Sequence, residues 1–425
     1  MRILQAFGVL AAFVIIVVLS VKRVALWKVM CLATIVMALS SGIPMSQSAK
    51  IIWGSFTDIT TIHLALSVFS IGAFSTIMNG TGYLDNMVRG LSGLLGNLKA
   101  AIMAVPALVG SMPVLGGAAV SAPLVDKLGD GLGLSPEKKA TANLVFRHGM
   151  FFVFPFSPSM ILVSNLLGVP VTSLLAKLWP YGLMFWIAGY IFLLRKEGKN
   201  GQASAFEDES AATGPMAANP KEYRVRSLTG FLRYGSPLLV ALALSLVFGL
   251  PLWASMATGI ILALAIASLE KAPVPSLGTI LKGSNISQVV AMLWIMAFKG
   301  FVSISPVFPA LVDSARGLGI PPAMLAVVLP ILFGYVSASH TTTMGVLVPI
   351  LVPAGVSQEG ILYLTAAIYG AGFIAYFASP LHLCQVLTCQ YYKIDITKVY
   401  KLYWPVLLAV GGIMMLYAMI ATGLF

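Results

Sequence analysis

Charge is scarce in this chain. Only 9% of its 425 residues are Asp, Glu, Lys or Arg, where a soluble domain carries about a quarter. Acidic groups are scarcest: there are 14 Asp and Glu against 26 Lys and Arg, and every acid falls in a loop or at the end of an apolar run. A carrier that grips cations with intramembrane carboxylates, as many proton and sodium exchangers do, is therefore disfavoured. Cysteine is rarer still. Cys31, Cys384 and Cys389 all sit in apolar segments; three cannot form a disulfide framework, Cys384 and Cys389 lack metal-ligand spacing, and they read as small core hydrophobes. A phosphate-binding loop is missing, which argues against ATP-driven pumping by this chain alone. No nucleophile–base pair has recognisable spacing, so an intramembrane enzyme is disfavoured too. The first apolar run, residues 3–19, lacks a basic start and a small-residue cleavage site, and it reads as a retained span.

What is abundant is apolar surface. Hydrophobic residues make up 59% of the chain and mean hydropathy is +0.94, so most of the chain must face lipid or lipid-buried helices. The net charge of +12 fits Lys and Arg held in cytoplasmic loops rather than contacts to nucleic acid. Ten runs are long enough to span, near 4–21, 24–41, 61–79, 141–166, 172–194, 234–250, 252–270, 286–304, 361–390 and 400–424. Two more, 101–125 and 322–353, carry Pro, Gly and hydroxyl residues at their middles. A break of that kind frees backbone groups that lipid cannot satisfy, so it belongs inside protein or beside a watery cavity. Reading both as re-entrant hairpins, with the N-terminus outside, puts 20 of the 26 basic residues in cytoplasmic loops, among them Lys22, Arg23, Lys138, Lys139, Arg195, Lys196 and Lys393. Outside lie Arg2, Lys50, Lys177 and Arg316, and Arg147 and Lys299 fall within spans. Both termini and the 354–360 loop are then expected outside, while 126–139 and 197–232 face the cytoplasm. The polar segment 197–232, rich in Gly, Ala, Ser and charge, reads as a mobile cytoplasmic linker.

The halves on either side of that linker, 1–196 and 233–425, echo each other in order. Arg89-Gly90-Leu91 matches Arg316-Gly317-Leu318, and PALVG at 106–110 matches PILFG at 330–334. Ser157-Pro158 matches Ser379-Pro380, and VPVTSLLAKLWP at 169–180 matches IDITKVYKLYWP at 394–405 without a gap. Each half then holds five spans and one hairpin. Five is odd, so the second unit is expected upside down relative to the first, as in secondary transporters built from inverted repeats.

The polar groups at depth are few and fall on the breaks. The first hairpin offers Gly110, Ser111, Gly116, Gly117 and Ser121, and the span after it breaks at 155–158, with Ser157, Ser164 and Asn165. The second offers Ser337, Ser339, His340, Thr341, Thr342 and Thr343, and its following span breaks at Ser379-Pro380, with His382, Gln385 and Thr388 beyond. Half-helix N-termini present free N–H groups and partial positive charge, which suit an oxyanion; exposed carbonyls at half-helix C-termini suit sodium. The plainer alternative is that Pro and Gly kink packed helices and hydroxyls bond back to the backbone. The SASHTTT run favours function, because its polar residues cover every helical face. Arg147 with His148 either snorkels to the cytoplasmic surface or stands as the positive partner of an anion. His340 and His382 are candidates to bind substrate or carry a coupling proton. No metal or organic cofactor is expected; sodium near the hairpin tips is the one ion for which donors are present.

The stretches GSMPVLGGAAVSAPLV, FRHGMFFVFPFSPSMILVSNLLGV and GYVSASHTTTMGVLVPILVP resemble an uncharacterised family of bacterial and archaeal integral membrane proteins. That family is grouped with the ion-transporter superfamily, beside gluconate permeases, dicarboxylate and citrate transporters and arsenite permeases. The resemblance implies a transport domain holding both hairpins, a scaffold domain that dimerises, and elevator-type alternating access. The superfamily's sodium-coupled carboxylate carriers commonly have Ser-Asn-Thr at each hairpin tip, where this chain reads Gly110-Ser111-Met112 and Ser337-Ala338-Ser339-His340.

The expectation is an all-α membrane protein of about ten transmembrane helices plus two re-entrant hairpins, in two inverted repeats, lying in the inner membrane as a homodimer. Its expected function is secondary active transport of a small organic anion, a carboxylate or sugar acid, coupled to Na+ or H+. A cation/proton exchanger and the membrane subunit of a binding-protein-dependent transporter are the rivals.

Overall fold

The computed structural model describes residues 2–112, 117–197, 220–307, 322–352 and 358–421, together with 310, 314, 317 and 319. Among these residues every element is helical. Nine helices among the described residues are long and apolar enough to cross a membrane: Leu4–Val21, Ile59–Gly80, Pro136–Leu167, Val171–Leu194, Lys221–Leu246, Leu252–Glu270, Ile286–Ile304, Glu359–Tyr392 and Ile396–Ile420. The expected tenth, 24–41, is the 15-residue helix Leu26–Ser40. The protein is a multi-pass membrane protein.

In chain order the first half holds α1 (Arg2–Val21), α2 (Leu26–Ser40), α3 (Met45–Thr57), α4 (Ile59–Gly80), α5 (Tyr83–Leu95), α6 (Leu98–Gly110), α7 (Gly117–Asp130), α8 (Pro136–His148), α9 (Met150–Val153), α10 (Pro158–Leu167) and α11 (Val171–Gly189). The second holds α12 (Pro220–Leu246), α13 (Leu252–Glu270), α14 (Leu277–Gly283), α15 (Ile286–Ile304), α16 (Pro322–Ser337), α17 (His340–Leu351), α18 (Gln358–Ala378), α19 (Leu383–Tyr392) and α20 (Ile396–Ala421). The order of long and short helices recurs between the halves, apart from α5, whose place in the second half falls largely outside the described residues. So do their prolines: Pro106 and Pro330 lie inside α6 and α16, Pro123 and Pro349 inside α7 and α17, and Pro180 and Pro405 inside α11 and α20.

Both broken stretches fold as two short helices packed on each other, α6 with α7 and α16 with α17. Both following spans are interrupted where Ser-Pro predicts it. The α8–α10 span stops at Val153 and restarts with Pro158 in the first turn, where its missing N–H costs nothing; the α18–α19 span stops at Ala378 and restarts at Leu383. Gly168 (φ +67°) ends α10, and at the matching place Lys393 (φ +52°) ends α19.

Helix contacts divide the molecule into two groups. One joins α1–α5 with α12–α15; the other joins α6–α11 with α16–α20. They meet chiefly where α5 runs into α6 and packs on it, and also where α10 touches α4 and α15, where α15 touches α17, and where α1 touches α16. Inside the second group the matched pentapeptides end in glycines with the same task. A Cβ on Gly110 would lie 2.5 Å from the Arg147 carbonyl oxygen, and one on Gly334 would lie 2.8 Å from that of Gly372. Each glycine lets one hairpin helix reach the backbone of the broken span. Gly334→Val is expected to force α16 from α18 and to destabilise the protein by about 1–3 kcal/mol, the usual range for overpacking. A clear fall in the thermal unfolding midpoint in detergent checks it, with the exposed Gly317→Val, open on all sides, as the control.

Two boundaries differ from the sequence reading. Residues 42–60 hold the helix α3, and α12 begins at Pro220 rather than after 232. The latter was masked by polar composition, but Tyr223, Ser227 and Phe231 recur every four residues and press against Gly90 and Gly93 of α5. A helical stripe of that kind buries against a neighbour whatever its average polarity. The remainder of the linker, 198–219, and residues 353–357 lie outside the described residues.

Ion pairs sort the loops into two ends. Lys139 bonds Asp126 at 2.7 Å and Asp130 at 2.5 Å, Lys138 pairs with Glu197, and Lys398 reaches Glu137 at 2.9 Å. The segments 126–139, 195–197 and 393–398 thus share one end. Nearby, Asp395 accepts from the Thr397 hydroxyl and backbone N–H, which holds its carboxyl below the usual carboxylate range. Lys177 and Glu359 meet at 3.6 Å, joining the start of α11 to the start of α18.

Candidate functional site

The second break is built from hydroxyls. Ala338 takes φ +48°, a left-handed conformation rare for a residue with a Cβ, between α16 and α17. Ser339 then caps α17, accepting from the Thr342 N–H at 3.3 Å and from the Thr342 hydroxyl at 2.6 Å. The Ser337 and Thr343 hydroxyls lie 3.3 Å apart. Ser337, Ser339 and Thr342 line a cavity of about 260 Å³ with Ser20, Arg23, Leu381 and Leu383. Thr341 and Ser339 also border a neighbouring 240 Å³ cavity with Asn285, Ser287 and Gln288. Both openings lie at the end of the molecule where α1 finishes and α15 begins. Ser379 fastens the other wall: its hydroxyl donates to the Tyr335 carbonyl at 2.7 Å and accepts from the Leu381 N–H at 3.3 Å.

Leu381 and Leu383 flank His382, which turns inward and is 1% exposed. There it meets the first half. The His148 and His382 rings are 4.8 Å apart and nearly perpendicular, and Tyr376 lies 4.2 Å from His382. One ring nitrogen of each histidine and the Cys384 sulfur lie within 4.8 Å of one another. Arg147 points into the same place, with its guanidinium against Cys384 and beside Tyr376. It is 7% exposed and one terminal nitrogen has no hydrogen-bond partner. Among the described residues no carboxylate pairs with it. The question of snorkelling is thereby answered: this arginine does not reach the surface. Gly110, at the end of the first hairpin's leading helix, rests on its backbone.

His340 extends the cluster. Its ring lies 6.2 Å from Tyr376 and 4.3 Å from Tyr369; Nε2 is 3.1 Å from the Tyr369 carbonyl oxygen and Nδ1 is buried without a partner. Tyr369 in turn donates to the Phe151 carbonyl at 2.9 Å, and its oxygen is 3.1 Å from Ser159, which lies 3.0 Å from Ser157. Gln385 sits behind the break, with its amide nitrogen 3.3 Å from the Tyr400 hydroxyl and its oxygen unpartnered.

The structure therefore brings Arg147, His148 and His382 together at one buried point, with Gly110 on the Arg147 backbone and His340 joined through Tyr376 and Phe151, and sets Ser337, Ser339 and Thr342 around the adjoining cavity, with Ser379 buried behind its wall. Ser111 is buried, but its hydroxyl is spent on the Leu108 carbonyl at 2.6 Å. Asn165 is elsewhere. It bonds the Ile161 carbonyl and borders a separate 500 Å³ cavity with Asp58 and Lys299, at the far end of α15. Gly117 opens α7, and Gly116 lies outside the described residues. Sequence reasoning missed Cys384, Tyr376, Tyr369 and Arg23; none lies on a Ser, Gly or Pro signal, and Cys384 is 236 residues from His148.

No curated protein matches the chain. A family model described as a protein of unknown function, DUF401, matches residues 6–206 and 219–424, leaving out only the termini and a dozen residues of the polar segment. The chain belongs to the DUF401 family.

Proposed function

We propose that this protein is a secondary active transporter for a small organic anion, coupled to Na+ or H+. The observation that carries the reading is the buried guanidinium of Arg147, which has no carboxylate partner among the described residues. An uncompensated charge at membrane depth costs several kcal/mol even after relaxation. A carboxylate arriving there offsets that cost and gains charge-assisted hydrogen bonds.

The paired short helices support the route. In each pair the second short helix packs back on the first across a break in the chain, and lipid does not satisfy the backbone groups such a break frees, so we read both pairs as re-entrant hairpins. The recurring helix order, shared prolines and paired glycines fit two repeats, inverted because each holds five spans once the shorter α2 is counted. The two contact groups fit a scaffold and a moving body that carries both hairpins, and the cavity opening beside Arg23 fits a state open to the cytoplasm. An elevator-type carrier in the ion-transporter superfamily, dimeric through its scaffold, unites these features.

Purified protein in vesicles tests the reading. Uptake of at least one carboxylate or sugar acid should exceed that of neutral sugars and amines by tenfold or more, and should respond to an imposed Na+ or pH gradient. Faster uptake of a neutral or cationic solute than of any acid would overturn it.

A further inference from the structure

The meeting of His148, His382 and Cys384 has a chemistry that anion binding does not use. Their donor atoms lie within 4.8 Å of one another, two of the three residues are buried, and the third is half-buried. A tetrahedral metal site with bonds of about 2.0–2.3 Å places its donors roughly 3.5 Å apart, so side-chain adjustments of about 1 Å would close this one. We propose that these three residues form a transition-metal site joining the end of α8 to the break between α18 and α19.

Tautomers support the assignment. His148 Nδ1 lies 2.7 Å from the Leu144 carbonyl oxygen, four residues back on its own helix. His382 Nδ1 lies 3.4 Å from the Phe377 carbonyl oxygen. In both rings the proton belongs on Nδ1, facing a backbone acceptor, and the lone pair on Nε2. On His382 that Nε2 is buried without a partner. A backbone carbonyl behind each ring is the outer-shell arrangement that orients and strengthens imidazole ligands. The third donor has a charge partner. The Arg147 guanidinium lies against Cys384 and on metal binding would offset part of the charge of a thiolate, the form of cysteine that binds metal. On binding, the thiol proton leaves to water in the adjoining cavity, whose lining residues Leu381 and Leu383 flank His382.

The donor set selects the ion class. Two imidazoles and a thiolate suit a borderline or soft d-block ion such as Zn2+ or Cu+, and not Na+, Mg2+ or Ca2+. With three protein ligands, one position stays open for water or an anion. The site stands on its donors and does not rest on the transport reading.

Cobalt and cuprous ions test it on the full chain, purified in detergent and stripped with chelator. Titration with Co2+ should give tetrahedral ligand-field bands and a sulfur-to-cobalt charge-transfer band saturating at one ion per chain, or Cu+ should bind at one per chain against a chromogenic chelator. Cys384→Ser should abolish the sulfur band, and His382→Gln should weaken binding by tenfold or more. Cys31→Ser and Cys389→Ser, away from the cluster, should leave it unchanged. Gel filtration of each variant separates lost binding from lost fold, and the wild-type sulfur band is diagnostic on its own. Failure of both ions to bind the wild-type chain stoichiometrically, or a sulfur band that survives Cys384→Ser, overturns the site.

Discussion

Arg147→Gln is expected to abolish anion uptake while leaving the protein at least as resistant to heat as the parent. The two halves of that result have one cause. In the resting structure the guanidinium is buried without a carboxylate, so folding bears its desolvation cost; a neutral amide of similar length removes it. An anion that relies on that charge loses both the Coulombic attraction and its bonds to a charged donor. The expected loss of apparent affinity is a hundredfold or more, about 3 kcal/mol. Arg147→Lys keeps the charge but not the planar two-pronged donor, and should fall between the two. Uptake by Arg147→Gln within tenfold of the parent would show that the arginine faces no anion, and a sharp fall in its unfolding midpoint would show a structural role instead.

Ser339→Trp should bring transport to background. The indole would project from the hairpin break into the 260 Å³ cavity beside Arg23 and Thr342, and it would block this opening, which reaches residues next to His382. The substitution also removes the cap on α17, worth about 1 kcal/mol, so the cap must be separated from the blockage. Ser339→Ala does so: it loses the same cap, keeps the cavity open, and should still transport, with a modestly lower unfolding midpoint. Full uptake by Ser339→Trp, or equal loss in both variants, would remove the cavity from the route.

Much of this was legible in the sequence, for physical reasons that differ by feature. The breaks at 155–158 and at Ser379-Pro380 were visible because Pro cannot donate and membranes do not forgive unpaired backbone. The correspondence of PALVG with PILFG was visible as letters; its meaning, two glycines each admitting a helix to a neighbouring carbonyl, needed coordinates. Arg147 was ambiguous because a residue only a few positions into an apolar span can snorkel or stay, and only the neighbours decide. The convergence of Cys384 on His148 was not legible at all, since spacing rules detect ligands close in sequence and this pair comes from opposite halves. Helix α3 and the first turns of α12 were hidden by polar composition, which reports average solvation and not the stripe that packs.

The short helix α2 sets a condition on the lipid. Its 15 residues rise about 22 Å, some 8 Å less than a typical hydrocarbon core. One face is covered by α1 and α15, but Leu32, Ile35 and Leu39 remain exposed. If α2 spans with that face toward lipid, acyl chains beside it compress or splay to meet it, and the strain grows with every added methylene. If the body carrying the hairpins slides past this part of the scaffold, it does so through locally thinned bilayer. Tail length in the host membrane then becomes a parameter of the working cycle, with short or unsaturated lipids easing the motion and long saturated ones resisting it.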